Sequence, residues 1–361
     1  MSSAGPPALD NEGTRPLGGA ARSAVRGEHT TAPILAVENL VTTFRTGGGW
    51  HAAVRDVSFV VQHNETLAIV GESGCGKSVT ALSIMGLVPP GNGRVAGGQI
   101  HFGGRDLVAL DEEEMRKIRG DRISMIFQEP MTSLNPVLTI GFQVAEALSY
   151  HRDMGRRKAA ATALELLEQV KIPSARQRFD DYPHQFSGGM RQRVMIAMAL
   201  ACRPELLLAD EPTTALDVTI QAEVLALLAE LKAAYGMAMI FITHNLGVVA
   251  SIADRVAAMY AGEIVEIAPV NELFARPTHP YTELLLRSIP RVDRDTAGLS
   301  VIAGQVPAIG AMPTGCRFAQ RCPLRQPICT ERDPILVPLP DAPDHHVRCW
   351  VRAAPGEGRR A

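Results

Sequence analysis

A glycine-rich stretch, Gly71-Glu72-Ser73-Gly74-Cys75-Gly76-Lys77-Ser78, has the residue types and spacing that surround a phosphate group. Glycines at these positions let consecutive backbone N–H groups turn toward an anion, and a following helix N-terminus adds a favourable dipole. In such a loop Lys77 reaches the β- and γ-phosphates, and the Ser78 hydroxyl binds magnesium. The stretch therefore predicts a nucleoside triphosphate site, with Val79 as its last residue.

Four polar side chains stand at the ends of apolar runs elsewhere in the chain. Asp210 and Glu211 end the run that begins at Leu206, while Gln128 and His244 each directly follow another run. A carboxylate at a strand end can hold magnesium, and its neighbour can polarise an attacking water. We expect Gln128 to contact the magnesium or the water, and His244 to hydrogen-bond the γ-phosphate from the carboxyl edge of a sheet.

These residues require strands that end beside the glycine-rich loop. Apolar or alternating runs predict strands over 34–44, 54–61, 66–70, 122–127, 205–210, 238–243, 255–260 and 263–267. A helix is predicted from about Lys77 to Leu87, and more helices over much of 139–202. Alternation of strand and helix predicts an α/β core with a parallel sheet and a helical insertion before Ser187. After about residue 270 prolines become frequent, which predicts a small irregular extension.

Composition narrows the class of protein. The 361 residues carry a formal charge of −2, so no broad basic surface attracts nucleic acid. The N-terminus lacks an apolar signal core, and long uninterrupted apolar runs are missing, so we expect a cytoplasmic chain that does not span a membrane. Residues 1–32 are rich in Gly, Ala, Ser, Pro and Arg, which predicts a disordered tail.

The order of these motifs resembles the ATP-binding subunits of ABC transporters. The resemblance covers residues 34–270 and includes the Walker A loop, Gln128, Ser187-Gly188-Gly189, Asp210-Glu211, Asp217 and His244. It implies a P-loop NTPase core of the ABC type with antiparallel β and helical subdomains. The implied domains are an ATPase domain at 33–270, with its helical subdomain at about 130–195, and an extension at 271–361. The implied cofactors are ATP and Mg²⁺.

The resemblance also implies how the site is completed. Two subunits pair head to tail, so that Ser187 and Gly189 of one subunit close over ATP held by the other. Such an arrangement is physically reasonable because a glycine turn at a helix N-terminus is a second anion site. Glu211 is then the general base, and Asp217 contacts the partner subunit.

An aromatic side chain is expected to stack on adenine. The resemblance points to Phe44, which follows the first strand, with Trp50 and His51 as other candidates. The signature stretch departs from the family in two places, with Phe186 where Leu is usual and Met190 where Gln is frequent. Neither departure removes Ser187 or the glycines.

A narrower resemblance points to the dipeptide and oligopeptide importer branch, or its nickel-transporting members. It rests on five stretches: Gln128–Pro136, Tyr182–Arg193, His279–Thr282, Gly304–Pro307 and Gly315–Phe318. It implies a peripheral subunit at the cytoplasmic face of the cell membrane that energises import of di- and oligopeptides. The implied partners are two membrane permeases, a second ATPase subunit that is identical or unlike, and an extracytoplasmic solute-binding protein. Thr132–Leu138 is predicted to contact a permease. Import of nickel or another small solute, and a soluble ABC-type ATPase without transport, are the alternatives.

Four of the six cysteines cluster near the C-terminus, at Cys316, Cys322, Cys329 and Cys349. Disulfides are disfavoured in a reducing cytoplasm, and four thiolates suit either zinc or an iron–sulfur cluster. Spacing does not decide between these metals or exclude unligated thiols, and His345 or His346 is able to replace one thiolate. The resemblance to related transporters favours a [4Fe–4S] cluster over zinc.

Overall fold

Two β-sheets organise the chain. The structure, a computed structural model, describes residues 32–129, 133–214, 216–288 and 302–353. The predicted disordered tail, apart from Ala32, lies outside the described residues.

The described strands and helices begin at residue 35. The strands are β1 (Leu35–Thr46), β2 (Gly49–Val61), β3 (Thr66–Val70), β4 (Gly93–Phe102), β5 (Arg105–Asp106), β6 (Ile123–Ile126), β7 (Leu206–Asp210), β8 (Ala238–Thr243), β9 (Arg255–Tyr260), β10 (Glu263–Pro269), β11 (Val337–Leu339) and β12 (Ala342–Val347). The helices are α1 (Lys77–Ile84), α2 (Glu112–Ile118), α3 (Ile140–His151), α4 (Arg156–Gln169), α5 (Ala175–Arg178), α6 (Gly188–Leu200), α7 (Val218–Tyr235), α8 (Leu246–Ile252), α9 (Val270–Ala275), α10 (Pro280–Arg287) and α11 (Ile328–Glu331).

The larger sheet has eight strands in the order β11-β12-β10-β9-β3-β8-β7-β6. Strands β6, β7, β8, β3 and β9 run parallel, as the sequence predicts. Every residue of β3, β7 and β8 is buried, which explains their continuous apolar sequences. The carboxyl ends of these strands meet at one edge of the sheet and carry the predicted catalytic residues.

The smaller sheet is antiparallel, in the order β2-β1-β4-β5. Strand β4 has no strand-like sequence pattern because glycines interrupt it at positions 93, 97 and 98. Gly98 has a φ of 87°, and a Cβ there would lie 2.5 Å from the Asn39 carbonyl oxygen. The glycine therefore permits a close approach between β4 and β1 that a larger residue would prevent.

Helices α3 to α6 lie between β6 and β7, where the helical insertion is expected. They pack around a core that includes Ile140, Val144, Leu166 and Val194, and this core continues onto Leu207 of the larger sheet. The limits of the helical subdomain, about 130–195, stay a prediction. Among the described helices, not one is both long and apolar enough to cross a bilayer.

The chain after residue 270 is more regular than its sequence suggests. It forms α9 and α10, and β12 pairs antiparallel with β10 through Glu266 with Val347 and Ile267 with His346. The larger sheet therefore ends with the β11–β12 hairpin rather than with β10. Strands this short, interrupted by Pro338 and Asp341, show too few alternations to be recognised from sequence.

Candidate active site

The glycine-rich loop connects β3 to α1. Gly71 has a φ of 153°, and a Cβ on it would lie 2.2 Å from the Met259 carbonyl oxygen. Gly76 has a φ of 105°, and a Cβ there would lie 2.9 Å from the Met259 side chain. Both positions therefore require glycine, because a side chain would displace the loop from β9. Ser73 and Gly74 are exposed at the loop surface, and Val79 is half-buried.

Lys77 lies inside the loop. Its ammonium group donates to the carbonyl oxygens of Gly71 at 2.9 Å and of Glu72 at 3.1 Å, and the residue is buried. Cys75 is also buried, and burial raises the pKa of its thiol, the nearby Lys77 charge acting against this. Cys75 is therefore a poor nucleophile, in agreement with its interpretation as a small loop residue.

Ser78 and Asp210 come together at the start of α1. The Ser78 hydroxyl donates to Asp210 Oδ1 at 3.1 Å, and Asp210 is buried at the end of β7. Hydroxyl and carboxylate oxygens are the donors that Mg²⁺ prefers. The donor set therefore fits the predicted magnesium site.

Three side chains converge on Glu211. Its Oε2 accepts hydrogen bonds from Gln128 Nε2 at 3.2 Å and from the Thr214 hydroxyl at 2.9 Å, and its Oε1 lies 3.1 Å from His244 Nδ1. Glu211 is nearly buried, whereas 56% of the His244 side chain is exposed. The structure thus brings the three predicted strand-end residues together. Thr214, which no motif in the sequence marks, completes the cluster.

The two adjacent carboxyl groups have pKa values shifted in opposite directions. Burial raises the pKa of Asp210; the Ser78 hydrogen bond opposes this and the charge of Glu211 reinforces it. Burial acts in the same sense on Glu211, but hydrogen bonds from His244 and Thr214 outweigh it and leave the pKa below its usual range. Glu211 is therefore ionised at neutral pH, as a general base must be.

The Ser187–Gly189 turn opens onto a separate groove of about 880 Å³, lined also by Asp217. Ser187 caps α6 by accepting from the Met190 N–H at 3.4 Å, and Asp217 caps α7 by accepting from the Ile220 N–H at 2.9 Å. A Cβ on Gly189 would lie 2.7 Å from Ile220, so the glycine allows α6 and α7 to pack closely. The glycine turn and Asp217 thus face the same open surface.

Comparisons with known proteins agree with this geometry. The family described as ABC transporter matches residues 54–214, and that described as Oligopeptide/dipeptide transporter, C-terminal region, matches residues 265–329. The dipeptide transport ATP-binding protein DppD of Bacillus subtilis (strain 168) is 52% identical over 319 residues, which cover 88% of this chain and 95% of DppD. A Brucella abortus (strain 2308) protein, named for peptide import and ATP binding, is 54% identical and covers 89% of this chain and 97% of its own length. The chain belongs to the ATP-binding subunits of ABC transporters. It is an ATPase.

Solved structures show the same fold for the ATPase part of this ABC subunit. A dimeric ATP-binding cassette in a post-hydrolysis state, bound to ADP and Pi, is 29% identical with a TM-score of 0.59 and covers 65% of this chain and 98% of its own. The cbiO1 protein of Clostridium perfringens is 25% identical with a TM-score of 0.57, covering 68% of this chain and 91% of its own. The predicted P-loop core of the ABC type is confirmed.

The candidates for adenine stacking lie on the β1–β2 hairpin of the ABC subunit. Phe44 is half-buried, and its ring lies against Gly93, where a Cβ would come within 2.8 Å of it. His51 is opposite Phe44 in the strand register. Trp50 is 41% exposed, and one face of its ring carries the Arg94 guanidinium at 4.4 Å from the centroid.

Two residues of the C-terminal region contact the glycine-rich loop of residues 71–78, called the phosphate loop from here on. The Tyr281 hydroxyl accepts a hydrogen bond from the Glu72 N–H at 2.9 Å, and Arg321 donates to both carboxylate oxygens of Glu72. Sequence reasoning placed neither residue at the site. The available signal was that both fall in or beside stretches that resemble the peptide importer branch.

The cysteines of the C-terminal region are free thiols. Burial raises the pKa of Cys316 to about 12; the Phe318 N–H opposes this, and charge on Cys349, Cys329 and Cys322 adds to it. Cys329 and Cys349 are buried. The donor chemistry fits a metal, but the residues that the structure describes contain no group of three or more His, Cys, Asp or Glu placed to hold one. The arrangement therefore does not support the iron–sulfur prediction.

His345 serves a different contact from the one considered in the sequence. Its Nε2 lies 2.6 Å from Glu266 Oε1, and both side chains are fully buried. Glu266 also accepts hydrogen bonds from the backbone N–H groups of Thr278 and His279. His345 therefore ties the β11–β12 hairpin to the start of α10.

Proposed function

We propose that this chain is the ATP-hydrolysing subunit that energises an ABC importer of di- and oligopeptides. The cluster of Gln128, Thr214 and His244 around Glu211, beside Ser78 and Asp210, carries the hydrolytic part of the proposal. The cargo is supported by relatives named for dipeptide and peptide import, whose matches include the C-terminal region.

Within the site, each residue has a specific role. Glu211 accepts a proton from the attacking water, and Gln128 and His244 orient the water and the γ-phosphate. Ser78, Asp210 and Gln128 hold Mg²⁺, which neutralises phosphate charge when bound. Lys77 contacts the β- and γ-phosphates, the backbone of residues 71–79 surrounds them, and Phe44 stacks on adenine.

We further propose that two ATPase subunits share each ATP. The groove formed by Ser187, Gly188, Gly189 and Asp217 accepts the nucleotide held by the partner's phosphate loop. The support is the exposed helix N-terminus in that groove and the dimeric state of a structural relative.

The complete assembly contains two membrane permeases, a second ATPase subunit and an extracytoplasmic solute-binding protein, without nucleic acid. This subunit lies at the cytoplasmic face of the membrane. The support is the similarity to importer subunits over nearly the whole chain.

Affinity purification of the full chain from its native host, in mild detergent, tests the assembly. We expect co-purification of two permeases, a second ATPase and a solute-binding protein, identified by mass spectrometry. The recovered binding protein is then titrated with a peptide library, Ni²⁺ and sugars. Peptide binding supports the proposal, whereas nickel-only binding assigns the other cargo. Recovery without any membrane chain contradicts transport and favours a soluble ATPase.

The predicted [4Fe–4S] cluster has its own test. We propose Cys316, Cys322, Cys329 and Cys349 as its ligands; the support is their clustering in the sequence and the resemblance to related transporters, not the placement of the four thiols in the described residues. Chain purified without oxygen is expected to contain iron and inorganic sulfide, and Cys322→Ser is expected to lose both. Cys202→Ser, at a buried cysteine outside the group, is the matched control. Stoichiometric zinc, or no metal, contradicts the assignment.

A further inference from the structure

The segment Cys316–Cys322 contacts the phosphate loop through Arg321. The two guanidinium NH₂ groups donate to Oε1 and Oε2 of Glu72 at 3.0 and 3.1 Å. The same guanidinium is held by the carbonyl oxygens of Ile302 at 3.1 Å and Ala303 at 2.8 Å, and only 7% of the side chain is exposed. A bidentate pair of this kind fixes orientation as well as distance. Arg321 therefore restrains the second residue of the loop.

The same segment reaches the middle of the loop through Arg317. The Arg317 guanidinium donates to the carbonyl oxygen of Ala261, in the turn between β9 and β10. The next residue of that turn, Gly262, donates its N–H to the Cys75 carbonyl oxygen at 2.8 Å. A Cβ on Gly262 would lie 2.2 Å from the Ala53 carbonyl oxygen, so the turn is tightly enclosed. Arg317 thus supports the loop at a second point, Cys75, three residues after Glu72, by way of the turn at Ala261 and Gly262.

Aromatic side chains pack between the Arg317 and Arg321 contacts with the loop. Phe318, between the arginines, lies with its ring centroid 5.4 Å from Tyr281 and 5.1 Å from Tyr260. Tyr281 is fully buried, and its hydroxyl accepts the Glu72 N–H. Glu72 is therefore held by its backbone and its side chain at once, both from the C-terminal region.

Glu72 in turn contacts the lysine that binds phosphate. Its carbonyl oxygen accepts from the Lys77 ammonium at 3.1 Å. We propose that the Cys316–Cys322 segment positions the phosphate loop for ATP, with Arg321 as a positioning residue whose loss weakens ATP binding rather than the hydrolytic step. The physical reason is that a loop already ordered before binding need not lose conformational freedom when ATP arrives. The proposal rests on residues 71–78 being the ATP site.

The test uses the full chain and compares ATP affinity with turnover. For Arg321→Gln we expect the Kd and KM for ATP to rise about fivefold or more, as loss of a charged hydrogen bond implies, while kcat stays within about twofold. Glu72→Gln should raise Kd similarly, and the double variant should be no weaker than either single variant, because both remove one interaction. Arg321→Lys keeps the positive charge but cannot donate two parallel hydrogen bonds to one carboxylate. Its Kd for ATP should therefore lie between those of the wild-type chain and Arg321→Gln. Arg325→Gln, at an exposed arginine of the next turn, is the matched control and should leave Kd unchanged.

Three outcomes would overturn the proposal. They are an unchanged Kd in folded Arg321→Gln, additive losses in the double variant, and a lower kcat with KM unchanged. If Arg321→Gln does not fold, Glu72→Gln and Arg321→Lys decide the question, since both keep an arginine or lysine in the buried position. Lys77→Ala tests the underlying assignment separately: if it binds ATP normally, the ATP site is misplaced, and the failure does not concern Arg321.

Discussion

Asp210 and Glu211 are neighbours in sequence, yet the structure gives their carboxyl groups different surroundings. Glu211 has a φ of 46°, and its N–H donates to the Ile242 carbonyl oxygen at 2.9 Å. At this left-handed turn at the end of β7 the two side chains point to different partners. Asp210 contacts Ser78, and Glu211 contacts His244. This separation is what the proposed mechanism requires, in which Asp210 is a metal ligand and Glu211 is the base.

Replacing the base without changing its size tests this division. We expect Glu211→Gln to bind ATP with nearly normal affinity and to hydrolyse it at least ~10²-fold more slowly, since an amide does not accept the proton of the attacking water. Turnover and ATP binding are measured on the same preparation. Glu205→Gln, which precedes β7 and pairs with Arg122, is the control and should hydrolyse normally. Near-normal turnover in Glu211→Gln would remove Glu211 from the role of base.

Among the elements, α10 links the stability of the C-terminal region to the phosphate loop. His279, the residue that caps its N-terminus, is buried, and its Nδ1 accepts the Tyr281 N–H at 3.1 Å. Burial lowers the pKa of His279 from 6.5 to about 4, the Glu266 carboxylate acting to raise it and Arg348 to lower it. The imidazole must stay neutral to accept this hydrogen bond, which places Tyr281 beside Glu72.

The sign of the resulting pH dependence follows from proton binding. Below pH 6.5 the unfolded chain protonates His279, whereas the folded chain does not until about pH 4. The unfolded state therefore binds more protons in this window, and stability falls as the pH is lowered through it. His279→Asn keeps a capping acceptor but does not titrate, so its Tm should decline less steeply between about pH 7 and pH 5. An acid slope equal to that of the wild-type chain would contradict this explanation.

The N-terminus of α6 allows a test of the proposal that two subunits share each ATP. Ser187 is exposed at the groove shared with Asp217, away from this chain's own phosphate loop. We expect Ser187→Arg to leave ATP binding by the isolated chain unchanged but to lower turnover of the assembled transporter by at least ~10-fold, because a bulky side chain blocks the partner's nucleotide. Ser251→Arg, at an exposed serine of α8, is the control. Equal turnover in the two variants would contradict a shared site.

The predicted strand bounds agree with the structure where a strand is fully buried and its sequence is continuously apolar. The bounds of β3, β8 and β9 agree with the predicted ranges because their residues are almost all apolar and buried. The meeting of Gln128, Glu211 and His244 was predictable for the same reason, since parallel strands bring their carboxyl ends to one edge. Strand β4 was not predictable, because its glycines serve close packing against β1 rather than a strand-like pattern.

At the scale of the whole molecule, contacts distant in sequence escaped prediction. Tyr281 and Arg321 reach Glu72 across 209 and 249 residues of chain. No local pattern encodes such pairs, because each depends on how α10 and the Cys316–Cys322 segment pack against Tyr260. The ATPase core and the C-terminal region thus share one apolar cluster, and the loop between β3 and α1 is supported from both.

The loop before α3 carries the stretch that is predicted to contact a permease. Gln143 is buried and holds the preceding loop by donating to the carbonyl oxygens of Asn135 and Leu138, each at 3.0 Å. Val137 lies within the stretch Thr132–Leu138 that is predicted to contact a permease, and 75% of its surface is exposed. Thr132, the first residue of that stretch, lies outside the described residues. Single exposed apolar side chains are common on protein surfaces, so the assignment of Val137 to an interface rests on its place in that stretch.

Replacing Val137 tests whether this loop contacts the membrane permeases. We expect Val137→Asp to leave ATP binding and the melting temperature of the isolated chain unchanged, because the side chain makes few contacts within it. Recovery of permeases in mild-detergent purification should fall by at least ~10-fold, since a charge placed in an apolar contact is poorly solvated there. Val108→Asp replaces another exposed valine, 40% accessible and just after β5, outside the predicted permease stretch, and should recover permeases normally. Undiminished recovery with Val137→Asp would place the permease contact elsewhere on the molecule.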